Sequence, residues 1–425
     1  MEMNRLTVTV LILVLMTWCS IGFTAETEYS DIIVDKSGKA DYTTINDALD
    51  ALPMFTYQRV IILLRNGVYK EKIRIDQDYV TLKGENRDST VIRFNQLRSD
   101  WDGKKDHIGP AVINIFADDV ILDNLTIENT QPEIGPHAFV VYGKNTRTII
   151  KNCSLISKGA DTVALWDYKD GMYYHANCFF QGAVDFVCPR GWCFIKDSEF
   201  YEVKKSASLW HDGHFSPDQK LVIRNSYFDG VEGFMLGRHH YDAQFILIDC
   251  QFSKNMADQP IYRKIYEEAS RNNPYLYGDR KYFFNCSMEE DNYVWFDNNI
   301  DEVFGKASPE KITAAWTFND KWDPENNNPV TVTGFTIQNN LLLLKFDEIV
   351  TVRGEPEIIN QLGTHFRLQK QRFNDINKLM FEAKDAIEKK DLSGDLRIIS
   401  GDIIASRAYV NERSLRPTFK IISHL

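Results

Sequence analysis

Short apolar runs alternate along the chain with an Asn or Asp followed by a small residue. The unit recurs at Asp123-Asn124-Leu125, Asn152-Cys153-Ser154-Leu155, Asn177-Cys178-Phe179-Phe180 and Asp197-Ser198-Glu199-Phe200. It continues at Asn225-Ser226-Tyr227-Phe228, Asp249-Cys250-Gln251-Phe252 and Asn285-Cys286-Ser287-Met288, the polar residues standing 28, 25, 20, 28, 24 and 36 positions apart. A β unit repeating at this interval predicts a coiled stack of strands in which each coil buries its apolar residues only against its neighbours. The Asn and Asp are expected at the bend between two sheets, where a left-handed backbone and side-chain bonds to the main chain are needed. In this register Cys153, Cys178, Ser198, Ser226, Cys250 and Cys286 form one column of small core residues, so the four cysteines read as buried thiols. Cys153 and Cys178 are close enough in the stack for a bridge to remain open.

Upstream, Ile45, Ala48, Leu49 and Leu52 fall at helical spacing before Pro53, predicting a short amphipathic helix that covers the open end of the stack. Arg59 to Leu64 reads as a near-continuous apolar strand, followed by Gly67-Val68-Tyr69-Lys70-Glu71, with Tyr69 and Glu71 in structural roles. Residues 258–325 are less regular, and Ala314 to Pro324 is expected to close the far end of the stack. Glu325-Asn-Asn-Asn-Pro329 is the best linker in the chain. Beyond it, strands at Val330–Ile337, Leu341–Phe346, Glu348–Val352, Leu396–Ile399, Ile403–Ser406 and Thr418–Ile422 predict a small immunoglobulin-like β-sandwich. Arg372 to Lys390 also fits a helix. The expected division is residues 1–25, 26–325 and 326–425, in an all-β chain.

Residues 1–25 have the pattern of a secretory signal: Arg5, an apolar run from Leu6 to Trp18 too short to span a bilayer, then small residues. Export to the periplasm or beyond is the expectation, with Cys19 as a possible lipidation site. The formal net charge is −11. From Asn326 onward 14 Lys and Arg stand against 12 Asp and Glu, so residues 1–325 carry 35 against 48. That balance argues against a nucleic-acid partner, and it means that an anionic glycan would need local basic residues to overcome an adverse field. A monomer without a membrane span is expected.

Three stretches carry candidate chemistry. Gln181-Gly182-Ala183-Val184-Asp185-Phe186-Val187 places a carboxylate in a small, apolar run. Gly159-Ala160-Asp161-Thr162 places a second, and Leu236-Gly237-Arg238-His239-His240 an arginine. Asp161 lies 9 residues past the Asn152 bend and Asp185 lies 8 past the Asn177 bend. Neighbouring coils therefore bring both carboxylates to one face, about one or two strand spacings apart. Burial and mutual repulsion would keep one protonated while an arginine holds the other ionised. The three blocks resemble the signature of the pectin methylesterases, carbohydrate esterases built on a right-handed parallel β-helix. The resemblance implies Asp185 as nucleophile, Asp161 as general acid and base, and Arg238 as the group that orients and charges Asp185. It further implies hydrolysis of galacturonate methyl esters in pectic polysaccharide, with release of methanol and no cofactor.

Trp166, Tyr168, Trp192, Trp210 and Tyr241 are candidate sugar-stacking residues. The stretch from Ser208 to Phe215 is expected as a loop over the groove. His211, His214, His239 and His240 match no metal-ligand spacing, so no metal is expected. The chain departs from the family at its oxyanion donors: Ala160 and Ala138 stand where the family has glutamines, and His240 stands where it has a Trp. Losing one such donor costs on the order of a hundredfold in rate. His137, His240, Trp166 or a backbone amide are the candidate substitutes. An impaired, polysaccharide-binding β-helix is the alternative; a lyase or polygalacturonase is disfavoured by the lack of a Gly-His-Gly block and of a dense acidic cluster.

Overall fold

The computed structural model describes residues 32–54, 58–213, 216–303, 307–369 and 377–421. The leader at 1–25, with Cys19, therefore lies outside the described residues, as does His214. Residues 32–288 form a parallel β-helix with three walls. The first wall is a ten-stranded parallel sheet running in order from Ile32–Val34 through Val60–Leu64, Thr148–Lys151 and Met172–Ala176 to Arg280–Phe284. The second is a nine-stranded sheet from Gly67–Tyr69 to Ser287–Met288. The third is shorter and interrupted: Ile73–Ile75, Ile113–Ile115, Val141–Gly143 and Val163–Leu165 form one part, and Ala207–Trp210, Met235–His239 and Tyr262–Arg263 the other. Single bridges from Val163 to Val187 and from Val187 to Leu209 join the two parts.

The repeat read from the sequence is the bend between the first and second walls. Asn124, Asn152, Asn177, Asp197, Asn225, Asp249 and Asn285 all have φ between 44° and 59°. A left-handed backbone is costly for most residues with a Cβ, and Asn and Asp lower the cost with local side-chain bonds. Here the bonds run between coils: Asn152 Nδ2 donates to Asp123 Oδ1 (2.8 Å), Asn177 Nδ2 to Asn152 Oδ1 (2.8 Å), and Asn225 Nδ2 to Asp197 Oδ1 (2.6 Å). The residues that follow each bend point inward. All six described cysteines are free and buried, so the column is one of thiols and not of disulfides. One step further along, Phe180, Phe200, Phe228 and Phe252 stack at ring separations of 5.1, 4.2 and 5.6 Å, each pair adding about 0.5–1.5 kcal/mol to simple burial.

The N-terminal end is covered by the helix Ile45–Asp50, which is capped by Thr44 and buries Ile45, Ala48 and Leu49. Glu71 accepts the backbone N–H of Ile45 and Asn46, and Tyr69 donates to the carbonyl of Arg65, so both have structural roles. The far end is closed differently from expectation. Phe296, with Trp295 and Tyr293, packs on Phe252 and Phe283. Ala314–Thr317, Phe318 and Trp322 instead cover the outer side of the first wall, against Tyr174, Phe194, Val222 and Ile246. That wall is buried on both faces, which is why Met172–Ala176 and Gln244–Ile248 read as unbroken rather than alternating strands.

The C-terminal region is the separate antiparallel β domain that was expected. Its seven strands form one continuous sheet around a single apolar core. The expected strands at Leu396–Ile399 and Ile403–Ser406 are one strand, Asp395–Ala405, and its pairing with Val350–Ile359 shifts register near Arg353 and Glu357. Lys378–Ala383, in the segment with helical periodicity, is a strand, because period-2 burial of Leu379, Phe381 and Ala383 wins over the helical pattern. The linker is docked: Glu325 accepts from Tyr174 and Lys196, both at 2.7 Å. Arg59 and Lys151 of the coils donate to the carbonyls of Ser406 and Val410. Among the described residues, no helix is long and apolar enough to cross a membrane.

If the bend ladder holds the coils in register, Asn152→Ala should lower unfolding stability by about 1–3 kcal/mol, through a strained left-handed backbone and two lost bonds. Asn152→Gly, which accepts that backbone freely, should lose less. Chemical denaturation followed by circular dichroism compares them; equal losses would locate the cost in the side-chain bonds alone.

Candidate active site

The third wall carries Asp161 and Asp185 on successive coils. The N–H of Asp161 donates to the carbonyl of Val184 (3.2 Å), and the N–H of Asp185 to that of Ala207 (2.6 Å). Both aspartates have left-handed backbones, with φ of 58° and 57°, and Val184 between the coils has φ of 49°. A β-branched residue in that region is strained, at a cost of order 1–3 kcal/mol, and such strain persists only where its surroundings impose it. One cause is steric. A Cβ on Gly182 would lie 2.3 Å from both Phe186 Cβ and Thr162 Oγ1, so the chain turns tightly onto the previous coil there. The other is Glu202, fully buried in the second wall, whose carboxyl takes the backbone N–H of Lys204 and Val184.

Arg238 reaches Asp185 across the intervening coil. Its Nε donates to Oδ1 at 2.9 Å and its Nη2 to Oδ2 at 2.7 Å, a bidentate pair. Trp210, in register with Arg238 on that coil, sets the guanidinium 5.3 Å from its ring. Burial pushes Asp185 up to about 6, opposed by the Arg238 bonds. Burial likewise pushes Asp161 up to about 6, opposed by the more distant charge of Arg190 and by the neighbouring Cys188 thiol, which donates to the carbonyl of Val163. His137 Nε2 lies 3.3 Å from Asp161 Oδ2; burial and then Arg98 depress its pKa, which favours the neutral ring. Asp161 has no bidentate cation as Asp185 has, so of the two it is the less stabilised as a carboxylate.

The other candidates divide. Trp166 and Trp210 flank the carboxylates in an outward aromatic cluster with Phe139 and Tyr142; the Trp166 indole donates to the carbonyl of Cys188 and that of Trp210 to Asp212. His240 and Tyr241 lie at the rim, their backbone N–H groups held by Asp212 Oδ1. Trp192 is not with them. It belongs to the first wall, where its indole donates to Asp218 and lies beneath Lys321, and it is set aside as a contact for substrate. Ser208 to Trp210 is strand rather than loop. His211 and His239 are buried and turned toward the carbonyls of Gly191 and Tyr241. Ala138 and Ala160 are buried methyls that offer no donor.

Three residues escaped the sequence reading. Arg190 lies only 9% exposed beside the aspartates, its guanidinium 5.5–5.8 Å from the rings of Trp166, Tyr168 and Trp210. Arg98 lies 5.9 Å from the other side of Trp166. Glu202 braces Val184 from below. The one available signal was a charged residue inside the apolar run Phe186 to Trp192. With Arg238, these arginines make the face locally basic within an acidic β-helix.

Fold and site together define a class: a parallel β-helix whose side wall holds a buried carboxylate pair, one member clamped by arginine. The family model described as Pectinesterase matches residues 31–210. Probable pectinesterase 67 of Arabidopsis thaliana is 27% identical over 229 residues, 49% of this chain and 61% of that protein's length. The pectin methylesterase of Aspergillus niger superposes with a TM-score of 0.55 at 20% identity, over 70% of this chain and 97% of its own. Pectin methylesterase PemA of Erwinia chrysanthemi gives 0.55 at 19%, over 70% and 99%. Through residues 31–210 the chain is similar to the pectinesterases, and it spans about 60% of the length of that curated Arabidopsis relative.

Glu202 supports a pH prediction. Burial raises its carboxyl from 4.5 to about 9. The folded state therefore holds a proton that the unfolded chain releases, and this contribution to stability is complete below pH ~4.5 and lost as pH rises toward 9. Glu202→Gln should flatten the fall in melting temperature between pH 5 and pH 9; an unchanged slope would mean that Glu202 is ionised in the fold.

Proposed function

We propose that this protein is a carbohydrate esterase that hydrolyses methyl esters of galacturonate residues in pectic polysaccharide. The observation that carries the reading is the meeting of Asp161, Asp185 and Arg238 on one wall, with unequal partners for the two acids. Asp185, ionised by Arg238, attacks the ester carbonyl. Asp161 gives its proton to the departing methoxide, and methanol leaves. Asp161 then takes a proton from the water that cleaves the acyl-enzyme, and Asp185 is regenerated. Trp166 presents an aromatic face to sugar rings, with the nearly buried Trp210 beside it and His137, His240 and Tyr241 at the rim. The locally basic face answers the adverse charge of the β-helix as a whole. The apolar leader at residues 1–25 fits an exported enzyme acting on an extracellular glycan.

One observation favours a second reading. Ala138 and Ala160 place methyl groups where relatives are expected to place oxyanion donors, so a β-helix that binds pectic chains without turning them over is the competing function. Methanol release from methylated pectic fractions separates the two.

Asp185→Asn and Asp161→Asn should each lower turnover on the order of 10³-fold or more in a protein that still folds; a variant with full rate would remove that residue from the mechanism. Because the acids share one proton near pH 6, the wild-type rate should fall on both sides of that pH. Trp210→Ala should raise KM, whereas Trp192→Ala should leave both constants near wild type. The reverse pattern would move the glycan to another wall.

A further inference from the structure

The seam between the coils and the C-terminal sheet holds a cavity of about 140 Å³ that the proposed chemistry does not use. The outer face of the first wall lines one side, and the segment that follows Asp395–Ala405 lines the other. Five cationic side chains and two carboxylates border it, an excess of three positive charges in a chain whose net charge is −11. Some of these are matched. Lys151 lies 3.4 Å from Asp123, Arg413 pairs with Glu348, and Glu412 pairs with Arg353 at 2.7 Å. Among the described residues no carboxylate forms an ion pair with Arg59, Lys83 or Arg407, and these three carry the excess.

The three differ in what they can offer. Arg59 gives its donors to neutral groups, namely the carbonyls of Ser406 and Asp119 and the hydroxyl of Thr81, so it supplies charge and no free N–H. Lys83 is exposed and Arg407 half-buried, and among the described residues neither side chain makes a hydrogen bond. Lys83 stands in register beside Asp123, whose oxygens are already engaged by Asn152 at 2.8 Å and by Lys151. Arg407 is fixed at the seam by its neighbours: the Ser406 carbonyl accepts from Arg59 at 2.9 Å, and the Ala408 N–H donates to Asp119 Oδ1 at 3.1 Å. Two solvent-accessible cations thus border one cavity over a third, buried charge. A buried charge without a counter-ion is costly, and an incoming anion would relieve it.

The remaining lining limits what that anion can be. Ile61, Ile121, Ile404 and Val410 present apolar surface. A cavity of about this volume takes one six-membered ring. A bare inorganic anion would leave the apolar side uncovered, and a neutral sugar would leave the cations unanswered. A sugar ring bearing a carboxylate satisfies both. We propose that this seam is a second, non-catalytic binding site for a uronate residue, its carboxylate held by Lys83 and Arg407 and its ring face laid on the isoleucines. The carboxylated ring follows from the cavity itself; the choice of galacturonate rests on the esterase reading, whose product carries that group. The site lies on the first wall, apart from Asp161 and Asp185 on the third, so it can hold a de-esterified stretch of chain without occupying the carboxylate pair.

The test is isothermal titration calorimetry of the full chain with galacturonate, galactose and inorganic phosphate at low salt. Galacturonate should bind about tenfold or more tightly than either of the others. Lys83→Gln combined with Arg407→Gln should weaken that binding about tenfold or more, while Trp210→Ala leaves it unchanged. Lys83→Gln alone alters an exposed side chain, keeps the seam packed, and should still weaken binding about threefold or more. The double variant should release methanol from short methylated oligomers at the wild-type rate. Absence of saturable binding, binding untouched by these substitutions, or binding lost in Trp210→Ala overturns the site. Phosphate binding as tightly as galacturonate overturns the uronate assignment. A wild type that binds galacturonate at the seam yet releases no methanol overturns the esterase reading alone.

Discussion

Parallel coils stacked at one strand spacing are the constraint on which the rest of the molecule depends. Each coil can bury its apolar residues only against the coils above and below, so every coil must return to the same phase. The left-handed Asn and Asp at the bend enforce that return, and their side chains tie successive coils together. Once phase is kept, residues at equal offsets become columns. Thiols, phenylalanines and the two aspartates are three columns of the same lattice, differing in which wall they occupy and whether they face in or out.

The chemistry draws on the same rigidity. Two carboxylates on adjacent coils are desolvated together, which pushes both upward, and what separates them is the partner each can reach. Arg238 spans a coil to grip Asp185, while Asp161 meets a half-exposed, mainly neutral histidine. The strained turn at Val184 is tolerated because Gly182 below and the protonated Glu202 behind leave it no other path. A site built on coils of a stack does not need a flexible loop to assemble it.

Charge is arranged against the global trend. The β-helix is acidic overall, yet Arg98, Arg190 and Arg238 gather around Trp166 and Trp210. Aromatic rings and guanidinium groups alternate there, each cation lying within about 6 Å of a ring. The C-terminal sheet takes no part in this face. It docks against the first wall, where Arg59 and Lys151 reach its backbone and where the apolar outer surface of the coils needs cover.

Local chemistry and periodicity were readable in the chain itself. The Asn or Asp at each bend, the buried thiol column, the capping helix and the shared phase of Asp161 and Asp185 follow from residue types and intervals, because a repeat converts spacing along the chain into position in space. Tertiary structure alone decided what no interval encodes. Trp192 and Trp210 are both tryptophans near the same blocks, yet strand pairing sends one to the first wall and the other to the site. Arg190 and Glu202 became visible only when the fold showed how deeply each is buried. The C-terminal strands were largely legible, but their closure into one continuous sheet depends on register shifts that side-chain patterns do not specify. Sequence determines which residues are able to line a column; packing between distant coils determines which of them face one another, and so which can act together.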